Sequence, residues 1–214
     1  LLDVGSGVGT LTADFAKRLV SGRVTALETS ELSLKLTQDT AIAAEVNNVT
    51  GVVGDVHELP FLDNTFDIVH AHQVLQHVQN PVQALKEMRR VCKPDGLVAA
   101  RDSDYDGFIW YPLLPELEEW QRWYQQANRA NGGEPNAGRY LLSWAQQAGF
   151  TEIKASSSTW CLATPESRAW WGEMWAERIL HSQIAKQLLA SGIADKADLE
   201  RISRAWRAWR DYRI

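Results

Sequence analysis

Gly5, Gly7 and Gly9 alternate directly after the apolar Leu1-Leu2-Asp3-Val4, with Ser6 between the first two, and this turn bounds what chemistry the chain can support. Alternate glycines let the backbone take positive φ and approach a ligand with no Cβ in the way. The N–H donors that open the following helix face the same space. Asp3 adds a carboxylate at the strand end beside the turn. A nucleotide-like ligand bearing a cationic or hydroxyl-rich group suits that arrangement. The spacing is G-x-G-x-G and not the G-x-G-x-x-G of dinucleotide sites, because residue 10 is Thr. A turn whose glycines only tighten a corner is the plain alternative, so the residues further along must decide.

Four later groups bear on it. Glu28 closes a second apolar run, Arg23 to Leu27, at the place where an acid about 20 residues on can accept from both hydroxyls of a ribose. Thr29 and Ser30 follow as the cap of the next helix. Asp55-Val56 comes straight after the run Val49 to Val53, so that the carboxylate can accept from an exocyclic amine while the Val56 N–H donates to a ring nitrogen. Gln73, Gln76 and His77, with His72, crowd the end of Phe66 to Ala71. A neutral imidazole there can orient an acceptor or take its proton, or can simply bond a loop carbonyl; His72 reads as an exposed loop residue. Asp102 and Tyr105 emerge after Leu97 to Arg101 as pocket candidates. The acids at 102, 104 and 106 lack the further oxygen ligands that a hard cation needs, and no metal is expected.

The apolar runs read as strands, and helical periodicity fills the gaps between them. Leu11, Phe15, Ala16 and Leu19 mark one helix, and Glu31 to Glu45 is a second. Asn80-Pro81 starts a third with Val82, Leu85 and Met88 inward, running to Val91. Strand and helix alternate as in an α/β, doubly wound, mostly parallel sheet. Further on, Leu117, Trp120, Tyr124 and Ala127 predict an aromatic-faced helix from Pro115 to about Asn131, a candidate lid. A helix from Tyr140 to Ala148, a sixth strand from Thr151 to Ser157 and a long helix from Thr164-Pro165 to about Ala190 come next. Asp195 then caps a last one with Leu199, Ile202, Trp206 and Trp209 on one face.

The sequence D-x-G-x-G-x-G, the acid Glu28, the G-D-x-x-x-L-P-F at Gly54 to Phe61, the F-D-x-V-x-x-x-x-x-L-x-H-V at Phe66 to Val78 and the K-P-x-G at Lys93 to Gly96 stand in order. Together they resemble the class I S-adenosylmethionine-dependent methyltransferases, particularly the small-molecule group of ubiquinone and menaquinone biosynthesis. G-G-x-P-x-x-G-R at Gly132 to Arg139 and the Ala148-Gly149-Phe150 turn extend the likeness. The resemblance implies a Rossmann-like fold with an inserted helical lid and a helical C-terminal segment. It implies S-adenosyl-L-methionine as cofactor, with S-adenosyl-L-homocysteine as product. Asp3, Gly5, Ser6, Gly7, Gly9, Glu28, Thr29, Asp55, Val56 and Gln73 would hold the cofactor. His77 would be the base if one is needed, and Asp102, Tyr105 and Arg139 would face the acceptor, a structural ion pair being the leading alternative for Arg139. Ala26, where the family often has glycine, is a small departure.

Bulk properties narrow the partners. The 214 residues suit one methyltransferase domain: a cofactor core over 1–106, lid and substrate-side helices over 107–149, and a sixth strand with a tryptophan-rich tail over 150–214. A net charge of −5 with both signs dispersed gives no footprint for nucleic acid, and no Asp/Asn-Pro-Pro-aromatic segment follows the fourth strand. Cys92 and Cys161 form no disulfide framework, and no long apolar run suggests membrane insertion, so a cytoplasmic protein is expected. Ten tryptophans, concentrated in the second half, could wall an apolar pocket, join a homodimer or fill a core. A start inside a strand and the lack of a closing antiparallel strand suggest truncation at both ends. The reading is methyl transfer to a small-molecule, apolar or quinone-like acceptor. Its alternatives are an NAD(P)-dependent oxidoreductase and a noncatalytic methyltransferase-like partner subunit.

Overall fold

The computed structural model describes residues 1–212. Five strands form, β1 (Leu2–Val4), β2 (Val24–Glu28), β3 (Val49–Val53), β4 (Phe66–His72) and β5 (Cys92–Arg101). The helices are α1 (Thr10–Arg18), α2 (Glu31–Ala43), α3 (Pro81–Val91), α4 (Pro115–Ala130), α5 (Ala137–Gln147), α6 (Pro165–His181), α7 (Gln183–Ala190) and α8 (Lys196–Asp211). The chain divides into two compact units, one of residues 1–103 with 136–154, the other of 104–135 with the chain from Ala155 onward.

The first unit is a wholly parallel sheet in the order β3-β2-β1-β4-β5. Parallel strands need a crossover between them, which the amphipathic helices supply, and helices on the faces drive the inner strands toward continuous apolar runs. Leu2, Val4, Leu27, Val69, Ala71 and Met88 are buried in its core. The helix ends follow local chemistry. Ser30 accepts from the Ser33 N–H to cap α2, and Asn80 accepts from the Gln83 N–H to cap α3, with Pro81 in the first turn. Strand order reverses between β1 and β4, which is where open α/β sheets bind ligands beyond the carboxyl ends of their strands. The expected α/β, doubly wound architecture is therefore present, and all five strands are parallel.

Three expectations fail locally. Residues 151–157 form no strand. Ile153 is the only large apolar side chain in Thr-Glu-Ile-Lys-Ala-Ser-Ser, too few to bury a face. The helix over Tyr140 to Ala148, grouped in sequence with the substrate side, belongs to the sheet unit and packs with α3 and β5. The long helix breaks at Ser182, whose ψ of 177° is extended. At about 100° per residue, a straight helix would carry Leu188 about 180° around from Ile179. The break lets both side chains be buried.

The second unit is helical and aromatic. Thr164 and Asp195 each form a capping box, with Ser167 and Asp198, at the starts of α6 and α8. Trp120 of α4 lies edge-on to Trp175 of α6 and Trp206 of α8, with ring centroids 4.5 Å and 4.8 Å away. Leu117, Ile179, Leu188 and Ile202 complete this core. Arg168, only 5% exposed, stacks 4.7 Å over the Trp209 ring and donates to the Trp209 carbonyl in the last turn of α8. A guanidinium there satisfies a helix-end acceptor and complements the negative end of the helix dipole.

Candidate active site

The glycine turn sits at the end of β1. Gly5, Gly7 and Gly9 have φ of 64°, 59° and 83°, the left-handed region that other residues avoid. Gly5 N–H donates to Leu27 O at 2.8 Å, fastening the turn to β2. Gly7 N–H donates to Glu28 Oε1, so the acid at the end of β2 and the turn at the end of β1 meet. From α2, the Thr37 hydroxyl donates to Gly7 O at 2.8 Å and lies 2.8 Å from Ser6 Oγ, while the Thr40 hydroxyl donates to Val8 O. A Cβ built on Gly9 would meet Thr37 Cα at 2.8 Å, whereas one built on Gly7 would meet nothing within 4 Å. The turn is thus pinned from below and open above its middle glycine.

Asp3 lies beneath the turn. It is 2% exposed, accepts from Thr12 Oγ1 at 2.6 Å and pairs with His70 Nδ1 at 2.9 Å, His70 being its neighbour in register on β4. Each oxygen thus has a protein partner, and the carboxylate ties the turn to α1 and β4. His72 also differs from expectation. It ends β4, partly buried, with its ring stacked on His70 at 6.4 Å. Burial, then the charges of Arg101 and His70, hold its pKa below the usual histidine value.

Beside β2, Gly54 N–H donates to Glu28 O at 2.9 Å, which brings the Asp55 loop to the same sheet edge as the glycine turn. Asp55 Oδ1 accepts from the backbone N–H of His57, two residues on, in an Asx turn, and this bond above all lowers the carboxyl's pKa. Its Oδ2 and the Val56 N–H have no hydrogen-bond partner among the described residues. Thr29 is exposed at the start of the loop after β2.

On the other side of the switch point, Gln73 takes a φ of 56° directly after β4. Its N–H donates to Arg101 O at 2.7 Å and its side-chain amide to Ser103 Oγ at 3.2 Å. Val74 then packs on Gly5, whose Cβ would lie 2.6 Å from it. A 3-10 turn over Leu75–His77 follows, in which the Gln76 amide holds His77 Nε2 at 3.2 Å. Asp102 Oδ1 accepts from the Gln76 N–H at 3.2 Å, and its buried Oδ2 has no partner among the described residues.

Burial pushes the Asp102 carboxyl up to about 7. The folded protein then holds a proton that the unfolded chain, with an aspartate pKa of about 3.9, has already lost. Stability is present at low pH and falls as pH rises from about 4 through about 7. Between pH 5 and pH 8 the wild type should lose about 2.5 kcal/mol more than Asp102→Asn, measured by urea unfolding at both pH values. Parallel profiles for the two proteins would refute a buried, protonated Asp102.

The structure therefore gathers Gly5, Ser6, Gly7, Gly9, Glu28, Asp55, Val56 and Gln73 along the carboxyl edge of one sheet. Tyr105 belongs to the helical unit, where it is 6% exposed and stacked on Tyr124 at 4.1 Å, its phenol pKa raised chiefly by burial. Arg139 is exposed in the first turn of α5. Thr12, Thr37, His57 and His70 do structural work at the site that no motif announced. Of these only His57 carried a local signal, being two residues after an Asp in a turn.

Among the described residues no helix is long and apolar enough to cross a membrane, and no cluster of three metal-ligating side chains occurs. Residues 2–100 match the family model described as a methyltransferase domain. An uncharacterized methyltransferase of Schizosaccharomyces pombe is 37% identical, over 96% of this chain and 76% of its own length. Demethylmenaquinone methyltransferase of Staphylococcus aureus is 32% identical, over 74% of this chain and 70% of its own. In fold, the chain is similar to a Haemonchus contortus N-methyltransferase solved with phosphomonomethylethanolamine and S-adenosylhomocysteine, with a TM-score of 0.60 at 20% identity over 97% of this chain and 44% of that one. Fold, ordered motifs and relatives agree: the chain belongs to the class I S-adenosylmethionine-dependent methyltransferases.

Proposed function

We propose that this enzyme methylates a small, largely apolar acceptor of quinone-like character, with the cofactor lying along the carboxyl edge of β1, β2 and β3. The observation that carries the cofactor placement is the open space over Gly7, flanked by an acid at Glu28 and by the unpartnered Asp55 Oδ2 and Val56 N–H. In this reading the backbone of Gly5 to Gly9 cradles the methionine and ribose side, and Glu28 accepts from the ribose hydroxyls. Asp55 and Val56 read the adenine edge, Thr29 borders the ribose, and Gln73 with its left-handed backbone shapes the methyl side. Asp3 holds the turn in place through Thr12 and His70.

Bound, S-adenosylmethionine supplies a sulfonium methyl group for displacement. What the chain has to do is align the nucleophile and keep water out. His77, whose Nε2 accepts from the Gln76 amide, is the proposed proton acceptor for an acceptor that arrives protonated and displaces that amide from Nε2. Asp102 supports that 3-10 turn from β5. The relative that methylates demethylmenaquinone favours a ring acceptor; Arg139 is proposed for a polar group on it.

Two measurements test this reading. Glu28→Ala should weaken S-adenosylhomocysteine binding about 10- to 100-fold in calorimetry, the range for losing a charge-assisted hydrogen bond. Labelled methyl from the cofactor should pass to a hydroxylated naphthoquinol-type acceptor and extract into organic solvent. Label confined to protein or to phosphorylated amines would sink the acceptor assignment, and binding of NAD without S-adenosylhomocysteine would contradict the cofactor site.

A further inference from the structure

Asp55 is exposed, yet one of its oxygens is fully engaged by a single neighbour. Oδ1 accepts the His57 backbone N–H at 2.8 Å and lies 2.6 Å from His57 Nδ1. The other ring nitrogen, Nε2, lies 3.3 Å from the backbone nitrogen of Asn80. A backbone N–H can only donate, so Nε2 accepts, and the proton of the neutral imidazole belongs on Nδ1, facing Asp55. The start of α3 thereby selects the tautomer. The same helix holds the His57 backbone, since Gln83 Nε2 donates to His57 O at 3.3 Å. Asn80, whose N–H makes the selection, is itself fixed as the cap of α3, accepting from the Gln83 N–H at 3.0 Å.

We propose that His57 is a positioning residue that sets which purine the cofactor pocket accepts. By occupying Oδ1 from two directions it fixes the Asp55 rotamer and leaves Oδ2 as a pure acceptor at the pocket edge. A 6-amino group can donate to that oxygen. A 6-oxo group would set acceptor against acceptor and leave a carboxylate oxygen unpaired, which is how a polar site rejects a close analogue. The inference rests on the reading of Asp55 as the adenine partner.

The test is calorimetry of S-adenosylhomocysteine and its 6-oxo, inosyl analogue on the wild type, His57→Leu and His57→Asn. The asparagine amide nitrogen falls near the place of Nδ1 and keeps a donor there. The wild type should prefer the adenosyl ligand about 10- to 100-fold. His57→Leu should shrink that preference below about fivefold, and His57→Asn should keep most of it. An unchanged preference in His57→Leu, or equal losses in both variants, would overturn the assignment of His57 as the orienting donor. No preference in the wild type would instead remove Asp55 as the base reader, and the role of His57 with it.

Discussion

Gly7→Val is expected to abolish binding of S-adenosylhomocysteine, with an affinity loss above about 100-fold, in a protein that still folds. Nothing in the chain lies within 4 Å of a Cβ on Gly7, so a side chain there meets no protein atom. Its φ of 59° makes any L-residue costly, by about 1–2 kcal/mol, a loss most domains tolerate. The added isopropyl group would occupy the space assigned to the cofactor, where no rearrangement of a neighbour can relieve it. Gly9→Val supplies the contrast, because its Cβ would strike the backbone of Thr37 at 2.8 Å and 2.9 Å. That clash would separate α1 from α2, and the variant should fail at folding instead of at binding. Calorimetry with S-adenosylhomocysteine, beside thermal unfolding of both variants, separates the outcomes. Wild-type affinity in Gly7→Val would place the cofactor elsewhere.

The glycine turn was legible because everything it needs is contiguous: a strand, alternate glycines and a helix start, all within one short stretch. The same holds for Asp55 with its following N–H, and for the α3 start at Asn80-Pro81. Positions of Glu28 and Gln73 also followed from sequence, since a parallel sheet brings strand ends to one edge whatever the side chains do. What spacing does not carry is a contact made through the fold. Thr37 reaches the Gly7 carbonyl across 30 residues, and His70 reaches Asp3 across 67. The bonds that tie Asp3 to Thr12 and His70 are of this kind, and nothing in the local spacing announces them. The surroundings of Tyr105 are set in the same way: it comes just past β5 in sequence, and its ring stacks on Tyr124 and Phe108. At Ser182 the helical period continues on paper and only the phase of the buried side chains reveals the break.

Trp120→Ala should be the most damaging substitution in the helical unit, lowering stability by about 3–5 kcal/mol in urea unfolding. Its side chain is fully buried and its ring is met by Trp175, Trp206, Tyr124 and Tyr105, so truncation leaves a void bounded by rigid rings. Planar aromatics cannot collapse into such a space as a leucine shell can, and edge-to-face pairs add about 0.5–1.5 kcal/mol each beyond the buried area. The indole N–H has no hydrogen-bond partner among the described residues, so the residue is held for its shape and ring faces. Trp120→Phe should accordingly cost about half as much, because it loses volume but no hydrogen bond. Every proposed cofactor contact lies in the sheet unit, so Trp120→Ala should bind S-adenosylhomocysteine as the wild type does where it remains folded. Equal losses for the phenylalanine and alanine variants would show that the N–H is used after all. A loss below about 1 kcal/mol for alanine would show that the aromatic core repacks.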